Sequence, residues 1–271
     1  MSLAAFLPYG FALLSLTIAP FSAKAAPLLP ESSPYDLPLS HASFLSASPA
    51  DFAGTNRPPS RISGGSRGPC LNQLIAIVPG TGAVDPAATC STESRSALAL
   101  TLSEFPSFWV YVPQFSQDRS LESAQPTAEL VILDDRQQPI QTERITLPAE
   151  SGIISVTLRR SLPVNQPYRW IFSVWINPQS PSQNPKVEGL IQRIQPDATL
   201  RHQLTEATEA DRLALYVEHN LWHDRLTALA AIAATPQAPE SGWSNLLDSV
   251  GLGAIADEPI LNCCGSVNAG E

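Results

Sequence analysis

The segment SFWVYV, residues Ser107–Val112, is the clearest strand signal in the sequence and starts the assignment of the fold. It is rich in aromatic and β-branched residues, and Pro113 ends it. Seven similar short runs surround it, with prolines or other turn residues in most connections. They are residues 74–78, 98–102, 128–133, 141–147, 152–158, 168–176 and 187–194. Eight short strands without a helical period among them predict an antiparallel β-sandwich, immunoglobulin-like in size, with a closed barrel as the alternative.

Three tryptophans, Trp109, Trp170 and Trp175, fall inside the predicted strands. A buried indole contributes a large apolar area to a core. We therefore expect these side chains to anchor the core of the sandwich; the alternative is a platform on which a sugar stacks.

The apolar period changes after Pro196. Leucines and other apolar residues now recur at steps of three and four, which predicts amphipathic helices. Thr208 with Asp211 resembles a capping box, Ser241 can cap a last helix, and Gly251 can end it. The chain is thus predicted to be α+β, with a β-sandwich at residues 70–196 and a module of three or four helices at residues 197–264.

Residues 211–236, DRLALYVEHNLWHDRLTALAAIAATP, have the layout of one tetratricopeptide unit. Two short helices are separated by a tight turn at His219 and Asn220, and a proline follows the second helix. Arg225 departs from the pattern, since such repeats prefer alanine at that place. An ordinary helical hairpin is the alternative.

The N-terminal residues predict export. An apolar run is followed by Ala23-Lys24-Ala25, which matches the cleavage pattern of a secretory signal, so we expect a signal peptide at residues 1–25. A segment retained as an uncleaved anchor is the alternative. Residues 26–69 are rich in proline and serine and predict a disordered tether, and residues 265–271 a disordered tail. No second apolar run is long enough to span a membrane. The expected location is extracytoplasmic, either periplasmic or secreted.

Charge excludes one class of partner. The 271 residues carry 16 basic and 25 acidic side chains, a net charge of -9. Removing residues 1–25 removes Lys24 and no acid, which brings the net charge to -10. A nucleic acid is therefore not expected as a partner, because its phosphates require clustered cations. A neutral or basic protein partner is the better prediction.

Four cysteines, Cys70, Cys90, Cys263 and Cys264, lie in the predicted mature chain. An even number in an exported protein predicts disulfides. Cys263 and Cys264 are adjacent, so each is expected to pair with a distant partner rather than with the other. Free thiols and a zinc site remain the alternatives, although the spacing lacks a C-x2-C pair.

Three motifs resemble catalytic or metal sites. Ser66 matches G-x-S-x-G but lacks the strand and helix that a serine-hydrolase elbow needs. His219 and His223 are four residues apart, as metal ligands on a helix can be, yet Asn220 stands where a metalloprotease has glutamate. We favour helix-end histidines that face solvent or pack against Trp222.

Glu122 with Asp134 and Asp135 could supply paired carboxyls for glycosidic chemistry. A hairpin tip at the two aspartates is the simpler interpretation. We therefore predict no catalytic residue, no cofactor and no metal.

Several segments together resemble an uncharacterised family of cyanobacterial exported proteins, the "domain of unknown function" family numbered nine hundred and twenty-eight. The matching segments are RGPC (67–70), LTLSEFPSFWVYVP (100–113), AELVILDD (128–135), YRWIFSVWINPQ (168–179), VEGLIQRI (187–194), RLALYVEHNLWHD (212–224), WSNLLDSVGL (243–252) and EPILNCC (258–264). Residues 84–97, with Cys90, do not match clearly. The resemblance implies no activity and transfers no catalytic residue.

The sequence predicts a non-enzymatic binding or adaptor domain of the cell envelope, with a protein partner and an unknown oligomeric state. The alternative is a hydrolase that acts on envelope polysaccharide or peptide, with carboxylates that only the fold brings together.

Overall fold

The structure is a computed structural model. It describes residues 59–63, 72–81, 95–115, 126–176, 182, 184–235, 241–262 and 264. The predicted signal peptide, most of the predicted tether and the predicted tail lie outside these residues. So do Ser66 and Glu122, together with the cysteines Cys70, Cys90 and Cys263.

All eight predicted runs contain a strand, and two short strands are added. The strands are β1 (Ile75–Ala76), β2 (Gly80–Thr81), β3 (Arg95–Ser96), β4 (Leu98–Thr101), β5 (Ser107–Val112), β6 (Thr127–Leu133), β7 (Pro139–Thr146), β8 (Gly152–Thr157), β9 (Pro167–Trp175) and β10 (Lys186–Arg193). They form a five-stranded sheet in the order β4-β10-β9-β6-β7, a three-stranded sheet in the order β1-β5-β8, and the pair β2-β3.

The prediction of a wholly antiparallel sandwich is wrong for one pair of strands. β4 runs parallel to β10, with Leu98 opposite Leu190 and Thr101 opposite Arg193. The intervening chain makes this possible, because β5 to β9 separate the two strands in sequence and provide a crossover far longer than a hairpin.

The predicted helical part forms four helices. They are α1 (Ala198–Glu206), α2 (Glu209–Glu218), α3 (Trp222–Ala233) and α4 (Ser241–Ser249), and a 3-10 helix follows at Gly253–Ile255. The capping box predicted at Thr208 and Asp211 is confirmed at the start of α2. The predicted turn between α2 and α3 is also confirmed, and Asn220 adopts a φ of 54° there. Asparagine tolerates this left-handed conformation better than most residues.

The three-stranded sheet is buried on both faces and lies between two hydrophobic cores. One face meets the five-stranded sheet across a cluster that we call the sandwich core, to which β5 contributes Phe108, Val110 and Val112. The other face meets α2, α3 and α4 across a second cluster, the helix core, to which β5 contributes Trp109 and Tyr111. Successive side chains of a strand point to opposite faces, so β5 serves both cores. The result is a sheet, a second sheet and a helical layer in succession.

Aromatic rings fill the centre of the sandwich core. Trp170 and Phe108 are fully buried and meet edge to face, with ring centroids 5.3 Å apart. Gly189 lies beside Trp170 on the neighbouring strand, and a β-carbon at Gly189 would lie 2.4 Å from the indole ring. Glycine is therefore required at this position because the indole occupies the volume of a side chain.

Two of the three strand tryptophans behave as predicted. Trp109 and Trp170 are buried, although Trp109 belongs to the helix core rather than to the sandwich core. The prediction is wrong for Trp175, which is 38% exposed. Trp170 and Trp175 are five residues apart on one strand, so their side chains must point to opposite faces.

Both edges of the three-stranded sheet are covered by short segments of chain. Ile62 pairs with β1 on one side, and Ile260 pairs with β8 on the other. Five residues thereby line up across the sheet on its helix-core face: Ile62, Ile75, Tyr111, Ile153 and Ile260. Gly152 admits the second segment, since a β-carbon there would lie 2.6 Å from the carbonyl oxygen of Pro259.

The folded chain begins earlier than the predicted boundary at Cys70. Residues 59–63 fall within the predicted tether, yet Arg61, Ile62 and Ser63 are buried. The backbone N–H of Ala76 donates to the carbonyl of Arg61, and that of Glu188 donates to Ser60. These bonds join strands of both sheets, so this part of the predicted tether is structural.

Candidate functional site

Three consecutive side chains make polar contacts to the strands where α3 begins, within the four residues Leu221–Asp224, which we call the LWHD segment. The sharp turn at Asn220 directs this segment into the strands. Leu221 is fully buried among leucines of β4 and β10. The next three side chains each bond to a strand or to the residue after it, so consecutive residues hold the helix at different points.

Trp222 and His223 bond to backbone carbonyls. The indole Nε1–H of Trp222 donates to the carbonyl of Ile77, just after β1, at 3.2 Å. Nδ1 of His223 lies 3.1 Å from the carbonyl oxygen of Ser107 at the start of β5. Because a carbonyl can only accept, Nδ1 must carry the proton and Nε2 is left with a lone pair.

His223 is 2% exposed, and its ring packs edge to face against Phe108, with centroids 5.5 Å apart. Burial lowers the pKa of His223 from 6.5 to about 4, and the hydrogen bond to Ser107 opposes this only in part. Nε2 has no hydrogen-bond partner among the described residues. The imidazole is therefore neutral at neutral pH.

Asp224 holds the loop after β4. Its carboxylate accepts the backbone N–H of Leu102 at 3.1 Å. Burial raises the pKa of Asp224, and hydrogen bonds from Leu102 and Thr101 oppose the rise. The pKa of Tyr216 on α2 is raised by burial and by the charge of Asp224.

These groups do not form a catalytic triad. The hydroxyl of Ser107 lies 2.8 Å from the hydroxyl of Thr157, and His223 bonds to the carbonyl of Ser107 instead. Asp224 bonds to backbone at Leu102 and not to the imidazole. A triad needs the base to contact both the nucleophile and the acid, so this arrangement positions a helix and does not activate a serine.

The histidine pair is separated by the turn. His219 is half-buried at the C-terminal end of α2, whereas His223 points into the protein toward Ser107. The favoured interpretation, helix-end histidines that face solvent or pack against Trp222, missed the burial of His223. Within the described residues no group of three histidine, cysteine, aspartate or glutamate side chains could hold a metal ion.

The two adjacent aspartates form the predicted hairpin tip. Asp134 Oδ1 accepts the backbone N–H groups of Arg136 at 2.9 Å and Gln138 at 2.8 Å. Gln137 completes the turn with a φ of 62°. The third carboxyl of the proposed set, Glu122, lies outside the described residues, as does Ser66.

Of the four cysteines, the structure describes Cys264. It is half-buried against the sandwich core and has a φ of 79°. Cys70, Cys90 and Cys263 lie outside the described residues, so the connectivity stays a prediction.

Arg61 is a second polar contact that the sequence analysis missed. Its guanidinium is buried and donates from Nη1 to the carbonyl of Val250, at the end of α4, at 2.9 Å. Burial lowers the pKa of Arg61 to about 10. The C-terminal end of a helix carries partial negative charge, which favours a cation there. The alternation of Arg61, Ile62 and Ser63 was a weak strand signal, hidden by the surrounding prolines.

Negative charge is concentrated in the helical part. Residues 197–264 contain ten acidic residues and three arginines, a net charge of -7, whereas residues 70–196 contain eleven acids and nine bases, a net charge of -2. The exposed acids of the helical part are Asp197, Glu206, Glu209, Asp211, Glu218, Asp248 and Asp257. Two of its three arginines, Arg201 and Arg212, are exposed. The outer surface of the helical layer is therefore acidic.

No helix in the described part of the chain has the length and apolar character required to cross a bilayer. Searches of the curated proteins and of the solved structures each found no match. The sequence model of one family, Domain of Unknown Function (DUF928), matches residues 62–260. These limits coincide with the outermost residues of the row that crosses the three-stranded sheet, Ile62 and Ile260. The matched region thus covers both sheets and all four helices, and the chain belongs to the DUF928 family.

Proposed function

We propose that this protein is an exported, non-enzymatic binding or adaptor protein of the cell envelope, in which an immunoglobulin-like sandwich carries a tetratricopeptide-like pair of helices. Its partner is a protein with a basic surface that docks on the acidic side of the helical layer. Cyanobacterial origin, a cleaved signal peptide and paired cysteines belong to the same proposal.

The distribution of charge and apolar surface carries this proposal. Buried leucines of α2 and α3, among them Leu213, Leu226 and Leu229, pack in the helix core. The helices therefore pack their apolar surface on the protein's own sheet, and the charged side chains that they expose are mostly acidic. Fields of one sign steer and select partners of the opposite sign, so a basic protein is the matching class.

The polar groups at the LWHD segment support a non-enzymatic role. His223, Asp224 and Trp222 each bond to backbone of the strands, which leaves them little freedom to act on a bound molecule. The alternative is an envelope hydrolase, and no specific observation among the described residues favours it.

The docking proposal is tested with two matched pairs of neutral variants. Glu206→Gln with Glu218→Gln removes two exposed acids from the helical layer, and Asp135→Asn with Glu150→Gln removes two exposed acids from the sandwich. Proteins that co-purify from the native envelope are quantified by mass spectrometry for each. We expect the helical pair to lower recovery of a basic partner several-fold, with a weaker effect at high salt, and the sandwich pair to leave it unchanged. Equal recovery from both pairs would refute the docking site.

Export is tested separately. A reporter fused to residues 1–30 is expected to leave the cytoplasm, and thiol alkylation of the mature chain is expected to find no reactive cysteine before reduction. A reporter that stays in the cytoplasm would refute export without affecting the docking site.

A further inference from the structure

We propose that His223 is an acid-sensitive latch, whose protonation releases the first turn of α3, and with it the helical layer, from the three-stranded sheet. The proposal concerns control of the fold by pH and does not depend on which partner the helical layer binds.

The first argument is the position of the imidazole. His223 is buried at the point where α3 meets β5, with Nδ1 on the carbonyl of Ser107 and the ring against Phe108. Its Nε2 has no partner in the described part of the chain. Adding a proton places a positive charge there and creates an N–H donor with no acceptor, and both changes disfavour the closed arrangement.

The second argument is that no described charge compensates a protonated imidazole. α3 packs against α2, α4, β4 and β5. On α3 itself, Asp224 and Arg225 follow His223, and the carboxylate of Asp224 accepts the backbone N–H of Leu102. Neither is a cause of the shift in the pKa of His223, which comes from burial and from the Ser107 carbonyl.

The packed elements offer no other counter-ion. β4 has no titratable residue, and β5 has only Tyr111, whose pKa burial raises to about 12. The titratable residues of α2 and its C-cap are Glu209, Asp211, Arg212, Tyr216, Glu218 and His219. The charged ones among them are exposed, and Tyr216 and His219 are half-buried. Asp248 on α4 is exposed as well.

The direction of the pH effect follows from the lowered pKa. The folded state keeps His223 neutral down to about pH 4, whereas an unfolded or released chain takes up the proton near the ordinary value of about 6.5. The released state therefore binds more protons between these values, and the closed state loses stability as the pH falls from 6.5 to 4.

Asp224 acts in the opposite direction. Its pKa is raised in the folded state, so the folded chain takes up that proton first and gains relative stability as the pH falls. A loss of helix contacts on acidification thus cannot come from Asp224.

Release would uncover the row of apolar residues on the sheet. The LWHD segment carries three anchors in succession, and Trp222 and Asp224 flank the imidazole on either side. A displacement at His223 therefore strains both neighbours. Residues such as Ile75 and Ile153, which the helices now cover, would become accessible to solvent.

The test is a pH titration of the full mature chain from pH 8 to 3, followed by near-ultraviolet circular dichroism and by fluorescence of an apolar dye. The helix core contains Trp109, Trp222 and Trp243, so its loosening changes the dichroism. We expect the native chain to bind dye increasingly below pH 6.5. His223→Gln can donate to the Ser107 carbonyl and cannot be protonated. It should move the midpoint of the transition at least about one pH unit lower. His219→Gln is the matched control and should leave it unchanged. A folded His223→Gln variant with the native midpoint would overturn the latch.

A second measurement covers the case in which His223→Gln does not fold. Nitrogen-15 spectra of the imidazoles in the native chain report the tautomer and midpoint of each histidine. An Nδ1–H tautomer with a midpoint near 4 for His223 supports the latch. An Nε2–H tautomer, or a midpoint near the ordinary value of about 6.5, overturns it.

Discussion

The sandwich core and the helix core share one sheet and are held together by different means. The sandwich core is closed by two sheets, and its large rings fit around glycine, as Trp170 does beside Gly189. The helix core is fastened at its margins by hydrogen bonds from buried polar side chains, among them Trp222 and Arg61. Apolar contact is nondirectional, whereas a hydrogen bond fixes a donor on an acceptor. Within each sheet, backbone hydrogen bonds already fix the strands, so the two sheets need only complementary shapes to pack. Among the described residues the helices lack such backbone bonds to the sheet, and hydrogen bonds from side chains fix their position instead.

The largest predicted effect tests whether the two cores form one cooperative unit. Phe172→Ala leaves a cavity in the sandwich core, and Leu226→Ala leaves one in the helix core. Both native side chains are fully buried. We expect each to lower the free energy of unfolding by about 3–5 kcal/mol. Because β5 belongs to both cores, both variants should keep a single transition, measured by urea unfolding with far- and near-ultraviolet dichroism. Noncoincident transitions in Leu226→Ala would show that the helices form a separate domain.

A smaller effect is expected from Gly189→Ala, which tests the role of volume in the sandwich core. The added β-carbon meets the Trp170 ring, and such overpacking costs about 1–3 kcal/mol. Trp170→Phe in the same chain should recover part of this loss, because the smaller ring leaves room for the methyl group. A double-mutant cycle in urea measures the coupling, and additive losses would contradict the steric explanation.

Trp222→Phe tests the role of hydrogen bonds in the helix core. It removes the donor to the Ile77 carbonyl and leaves that buried oxygen without it, at a cost of about 1–2 kcal/mol. Trp243→Phe makes the same change in the same core, at an indole that donates no hydrogen bond within the described residues. We expect Trp222→Phe to be the more destabilising in thermal unfolding. Equal losses of stability from the two variants would mean that the helix core, like the sandwich core, depends on side-chain volume alone.

The smallest effect is expected at the rim of the helix core. The indole of Trp109 donates to the hydroxyl of Thr227 at 3.2 Å, and Thr227 is exposed. Water can replace the hydroxyl, so Thr227→Val should cost about 0.5–1 kcal/mol. Thr199→Val on the exposed surface of α1 reports what valine itself costs a helix. If both variants lose the same amount of stability, the hydrogen bond from Trp109 to Thr227 contributes nothing to the free energy of unfolding.

The sequence predicted features that depend on neighbouring residues. The eight strand runs, the capping box at Thr208 and the turn at Asn220 follow from composition and spacing within a few residues. Sequence reasoning also found the hairpin tip at Asp134, because its hydrogen bonds are local.

Sequence reasoning missed the features that depend on residues far apart in the chain. The parallel pairing of β4 with β10, the burial of Arg61 and the contact of His223 with Ser107 all join distant segments. One signal for the double burial of β5 was present. Five of the six residues of β5, all but Ser107, are apolar, which is typical of a strand covered on both faces. β6, by contrast, alternates between buried and more exposed residues.

The row from Ile62 to Ile260 also bears on the order in which the chain can fold. Its end residues are 198 positions apart in sequence, and they flank a sheet whose inner strands arise between them. The last edge cannot close until residue 260 is available, so a chain emerging from a ribosome stays incomplete until that residue has been made. Contacts of such long range fold slowly. A product truncated before Ile260 would keep an open edge on this sheet, and an open edge is a site for pairing with another chain.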